Sequence, residues 1–142
     1  MQITSRFTVA VHTLIAIEFF KGRHKTTSEF LAGSVRVNPV VIRRILQNLK
    51  AAGLIEVKAG SGGAQLTRRP DDITLYDVYK AVDSVGDSIF HFHESPNPAC
   101  PVGRNIHAVL DGHLDDAQTA LENELRKVTL RDLLGELDEK TA

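Results

Sequence analysis

The sequence predicts a mainly α-helical protein: a winged helix-turn-helix domain with a long C-terminal dimerisation helix. Three observations predict it. Val37 to Leu66 reads as a helix running straight into a glycine-tipped hairpin. A second short helix lies just upstream. Beyond Ile106 a single apolar stripe steps by threes and fours as far as Val128, further than one small domain needs to cover its core.

The first helix, from about Ser5 to Phe20, sets Phe7, Ala10, Val11, Leu14 and Ile17 at helical spacing. Arg6, His12 and Glu18 interrupt it. It is too short and too polar to span a bilayer, and no signal-peptide cleavage pattern follows it. His12 lies beside the stripe and reads as a packed or surface histidine. Gly22 to Lys25 is a basic loop. The second helix opens at Thr27-Ser28-Glu29 and runs to about Gly33, with hydroxyls for capping and phosphate contact. Phe30, Leu31 and Val35 point inward.

Asn38 is a good N-cap for the third helix, and Pro39 fits its first position, where a missing N–H costs nothing. Ile42, Ile45, Leu46 and Leu49 fall on one face, and Gly53 ends the helix. A short apolar run, Leu54 to Val57, leads into the turn Gly60-Ser61-Gly62-Gly63 and a return through Leu66. Helix, turn, helix, hairpin is the order of a winged helix-turn-helix, whose usual work is reading DNA. Arg69 to Asp72 is a turn. A helix from Leu75 to Val82, with Leu75, Val78, Tyr79 and Val82 inward, closes this domain at residues 1–85.

Residues 86–103 hold three prolines and no periodic apolar pattern, and are expected to be a sensor or linker loop. The long helix follows, from about Val102 to Val128, and would be about 40 Å long at the usual helical rise. Ile106, Leu110, Leu114, Ala117, Leu121 and Leu125 form its stripe and the expected dimer interface. The same helix of a second copy is the expected partner, and folding back on its own domain is the alternative. Thr129 to Leu137 makes a last short helix, so residues 104–142 form the dimerisation unit.

Net charge is −1, which alone argues against a nucleic-acid partner, but the charge is divided. Residues 1–69 carry eleven Lys/Arg against three acids, and the remainder carries six against fifteen. A basic half meets phosphate and an acidic half stays off it. The single cysteine excludes an intramolecular disulfide and suits a reducing cytoplasm. There is no internal repeat, nucleophile–base pairing, phosphate loop or pair of cleft carboxylates, so an enzyme is not expected. A protein-interaction module that keeps the fold without binding DNA is the other alternative, and the charge division argues against it.

On the third helix, Val40, Arg44 and Gln47 point nearly opposite the buried face, with Arg43 and Lys50 beside them. Arg43, Arg44 and Gln47 are the base-reading candidates: arginine pairs with guanine, glutamine with adenine, and Val40 suits a thymine methyl. Some of these residues would instead touch only phosphate. Thr27, Ser28, Asn38, Lys58, Ser61, Gly62 and Gly63 complete the expected DNA-binding set.

Five segments resemble the Rrf-two (Rrf2) family of bacterial transcription regulators, relatives of the iron–sulfur-cluster regulator. They are MQITSRFTVAVHTL at the N-terminus, the Asn38-Pro39 helix start, AAGLIEVKAGSGGAQL, ITLYDVYKAVD and NPACPVGRNI. The resemblance covers nearly the whole chain. It implies a cytoplasmic homodimeric DNA-binding regulator, usually a repressor, with the long helix as its dimer interface. In related regulators an arginine before the wing glycines enters the minor groove. Here Ala59 holds that place, beside Lys58. Cluster-binding members carry three cysteines before the long helix. Here only Cys100 stands, with Ser88 and Glu94 near the other two places, and one thiolate does not hold an iron–sulfur cluster. No cofactor is expected, and the resemblance is closer to the cluster-free subgroup with a PNPxCPVG loop.

Cys100 precedes Pro101 and is expected at or near the N-cap of the long helix. There the helix dipole and Arg104 would lower the thiol pKa and make it a redox-sensor candidate. A buried structural cysteine is the bland alternative. A small-molecule effector of unknown identity is another input. His91, His93, Cys100, His107 and His113 leave metal sensing as a further alternative, although such a loop is more often simply solvated.

Overall fold

Helical periodicity alone builds most of the head. The computed structural model describes residues 4–58, 63–82 and 89–142. Thr4 caps α1 (Ser5–Phe19), whose buried face is Ala10, Thr13, Leu14, Ala16 and Ile17. Thr27 caps α2 (Ser28–Val35), accepting from the Phe30 N–H at 3.1 Å, and Arg36 in the left-handed region ends it. Asn38 caps α3 (Pro39–Ala51) through the Val40 N–H at 2.9 Å. Ile42, Ile45 and Leu49 on α3 are fully buried against Leu14, Ile17 and Leu31. Gly53, at φ +77°, turns the chain into the wing, as an L-residue rarely does.

The wing is an antiparallel pair, β1 (Ile55–Val57) and β2 (Ala64–Leu66), with Ile55 opposite Leu66 and Val57 opposite Ala64. Ser61 and Gly62, with Ala59, lie outside the described residues. A single 3-10 turn, Pro70–Asp72, leads to α4 (Leu75–Val82). Thr74 and Asp77 cap that helix reciprocally, at 3.0 and 3.1 Å.

After the loop come α5 (Pro101–Arg126) and α6 (Leu130–Thr141). α6 is longer than its periodicity predicted, because polar residues from Asp138 to Thr141 continue the helix past the last apolar position. It also belongs to the core of the head. Leu130 is fully buried and Leu134 nearly so. Its own capping box, Thr129 with Asp132, lies beside that of α4 through an antiparallel bridge between Thr74 and Thr129. The Leu75 N–H donates to Val128 and the Leu130 N–H to Ile73, both at 2.9 Å. Arg131 adds a 2.9 Å bond to Asp71, which also holds Arg69 at 2.7 Å. The Arg131 hydrogen bond, with the charge of Arg69, holds the Asp71 carboxyl below its usual range. That contribution is present at neutral pH and fades as acid reaches the lowered value.

α5 is different. Among its twenty-six residues none is buried. It packs on α4 near its C-terminal end, where the Arg126 guanidinium lies 3.8 Å over the Tyr76 ring. The chain before it returns along its side: the Ile89 N–H donates to Gln118 at 3.0 Å, and the His93 and His107 rings lie 5.1 Å apart. Of the six residues expected in the dimer interface, Leu110 and Ala117 are exposed; Ile106, Leu114, Leu121 and Leu125 are half-buried. Val102 and Val109 are more exposed still, at 69% and 63%, and extend the apolar stripe.

Candidate nucleic-acid interface

Two rows of side chains leave α3 on its solvent side. Val40 and Arg44 stand on the outer ridge, both exposed. Arg43, Gln47 and Lys50 follow at the next helical register and turn toward α2 and the wing. There they line a cleft of about 400 Å³ whose other walls are Thr27 and Ser28 at the α2 N-terminus and Gly63 and Ala64 on the wing. The helix cap explains part of this order. With Asn38 Oδ1 engaged on the Val40 N–H, the first turn of α3 presents Val40 outward and Asn38 acts first as a cap.

Sequence reasoning did not anticipate one partner here. Glu29 Oε1 lies 3.6 Å from the Arg43 guanidinium, with both side chains exposed. The Glu29 backbone N–H and the Ser28 hydroxyl, reinforced by Arg43, hold that carboxyl below its usual range. Solvent screens an exposed pair of this kind, so it holds Arg43 only weakly. Arg44 and Lys50 form no ion pair among the described residues. Thr27 Oγ1 is engaged in capping, and the Ser28 hydroxyl donates to Glu29 at 3.2 Å. Lys58 is exposed at the end of β1.

The other expected site is at the N-terminus of α5. Cys100 is the N-cap and half-buried, with its side chain making no capping bond. Without a full hydrogen bond, the N–H dipoles of Gly103 and then Val102, aimed at the sulfur, still hold its thiol below the usual range. That is the helix terminus acting; the Arg104 charge suggested by the sequence is not the cause. The turn is tight. The Cys100 N–H donates to the Asn97 carbonyl at 3.2 Å, and a Cβ at Gly103 would lie 2.6 Å from that same oxygen. His93 and His107 do come together, but Asp111 holds His107 Nδ1 at 3.1 Å. Among the described residues no three of His, Cys, Asp and Glu form a metal-holding group.

A family model described as Rrf2, iron-dependent transcriptional regulator, matches residues 3–136. The chain belongs to the Rrf2 family. YwnA of Bacillus subtilis (strain 168), assigned by name as an HTH-type transcriptional regulator, is 44% identical over 136 residues, covering 96% of this chain and 99% of its own. A crystal structure assigned as a DNA-binding protein is 40% identical, covers 92% of this chain and 99% of its own, and superposes with a TM-score of 0.72. IscR of T. potens shares the fold at 18% identity and a TM-score of 0.73, covering 100% of this chain and 92% of its own. This Rrf2 protein is a transcription regulator and not an enzyme. No helix among its described residues is long and apolar enough to cross a membrane. The iron in the family description does not fit here as an iron–sulfur cluster. Clusters take several thiolates, and this chain has one cysteine.

Proposed function

We propose that this Rrf2 protein is a cytoplasmic, homodimeric, sequence-specific DNA-binding repressor, with the α5 stripe as its dimer seam and Cys100 as its redox input. The outward row on α3, Val40 and Arg44 beside the cleft residues Arg43, Gln47 and Lys50, supports this reading most directly. A two-fold dimer sets two such rows into successive major grooves, about 34–36 Å apart. A promoter so covered is closed to polymerase, and repression is the expected output.

Arg44→Ala is expected to weaken binding to a duplex from the chain's own promoter by about 1–3 kcal/mol and to relax preference at one base pair. Arg43→Ala, which starts from an ion pair with Glu29, is expected to act more on all sequences alike. Gel shifts at two salt concentrations, against a random duplex of equal length, measure both. Wild-type affinity in both variants would remove α3 from the interface.

At Cys100 the chemistry is a two-electron oxidation. The thiolate attacks a hydroperoxide oxygen, an S–O bond forms, the O–O bond breaks, and hydroxide (or alkoxide) leaves to take up a proton. The product is a sulfenic acid. With no second cysteine in the chain, any disulfide joins a separate thiol. A new oxygen on this sulfur competes with the tight Asn97–Gly103 turn, which gives oxidation a structural effect. Peroxide is expected to release DNA from the wild type and leave Cys100→Ser bound. Thiol alkylation is expected to slow, as pH falls through the lowered pKa, at a lower pH than for an ordinary cysteine thiol. Equal release from both proteins, or from neither, would exclude Cys100 as the sensor of these oxidants.

A further inference from the structure

Behind the wing lies a second cleft, of about 190 Å³, which shares Thr26, Gly63 and Ala64 with the first. The two clefts therefore share one wall, made by Thr26 and the Gly63–Ala64 segment. The second is basic. Lys21 from the end of α1, Lys25 from the following loop and Lys58 from the end of β1 converge on it, against one acid, Glu18. None of the three lysines forms an ion pair among the described residues. Elsewhere in the chain cations often have partners: Arg68, Arg69, Lys127 and Arg131 all do.

The loop that carries Lys21 and Lys25 is held on two sides. The Thr26 hydroxyl donates to the Ala64 carbonyl at 2.7 Å, and the Ala64 N–H donates back to the Thr26 carbonyl at 3.2 Å. A Cβ on Gly63 would come within 3.2 Å of the Thr26 nitrogen, so glycine permits this closeness. On the other side the His24 ring stacks on Phe30 at 5.1 Å and meets Phe20 edge-on at 5.5 Å. The loop is thus tied to β2 through Thr26 and Ala64, which holds the backbone beside Lys25 in place.

We infer that this cleft, built by Lys21, Lys25 and Lys58, grips the phosphodiester backbone of the DNA flanking the bases that α3 reads. Charge complementarity and the wall shared with the α3 cleft carry the inference, which rests on the DNA-binding reading above. Such contacts hold position and affinity and read no sequence.

The test is the salt dependence of binding to a fluorescent duplex, for the wild type and for Lys21→Gln/Lys25→Gln, which keeps much of the aliphatic stems. Each phosphate contact contributes about 0.9 to the slope of log affinity against log salt. In the homodimer the double variant removes four such contacts, and it is expected to flatten the slope by about 3.6, equally on promoter and random duplexes, with its melting temperature kept. Trimming the flanks of the duplex is expected to cost the wild type the same contacts and the variant nothing. An unchanged slope in the double variant, or a loss confined to the promoter sequence, would overturn the clamp while leaving the DNA-binding reading intact. Absence of DNA binding by the wild type would overturn that reading itself and the clamp with it.

Discussion

Leu110→Asp is expected to leave folded heads that no longer pair and no longer hold operator DNA. No residue of α5 is buried, and Val102, Val109 and Leu110 are exposed apolar side chains along it. A substitution there leaves the head's core untouched. In a two-fold seam each change appears twice, so two carboxylates would be buried close to one another. An unpaired buried charge costs about 3–5 kcal/mol, enough to separate the copies at working concentrations. Losing the second head removes an avidity gain of about 10²–10⁴. Light scattering reads the mass and anisotropy reads the affinity. A persistent dimer in Leu110→Asp, or a monomeric wild type, would remove α5 as the seam.

Leu130→Ala is expected to destabilise the head itself, by about 2–5 kcal/mol. Leu130 is fully buried and packs into the same cluster as Leu14, Ile42 and Leu49. For a domain of this size that is a large part of the whole stability, about 5–15 kcal/mol. Urea melts monitored at the Tyr76 and Tyr79 signals measure it. A midpoint equal to that of the wild type would mean that α6 adds little to the core.

These two variants mark what the sequence makes legible and what it hides. Ile42, Ile45 and Leu49 repeat at helical spacing, so the buried face of α3 follows from local pattern, and with it the outward positions of Val40 and Arg44. The caps Thr27 and Asn38 are equally local. Leu130 and Leu134 make the same kind of stripe, yet periodicity says only that a face is covered and not by what. The reading of residues 104–142 as one unit therefore did not show α6 returning to the head. The Glu29–Arg43 pair and the Thr26–Ala64 bonds join separate elements, and no local pattern encodes them. Nor did charge counting show that Lys21 and Lys25 meet Lys58. The exposed Val102 and Val109 were hidden by the i, i+4 stripe beside them. On the wing turn, the expected contacts of Ser61 and Gly62 lie outside the described residues.

The two backbone bonds that join Val128 and Leu130 to the start of α4 give α5 the mechanics of a cantilever. Its C-terminal end is clamped to the head by Arg126 on Tyr76 and by the paired caps, and Cys100 sits at the opposite tip. The rod is about 39 Å long at the usual helical rise. Moving the tip sideways by about 1 Å, without bending the rod, rotates the clamp by about 1.5° over that length. The same rotation carried across the spacing between successive major grooves displaces a reading helix by about 1 Å, comparable to the tolerance of a hydrogen bond to a base edge. On the proposed dimer and redox reading, a change the size of one oxygen atom at the tip would have enough mechanical advantage to move a reading helix by that distance.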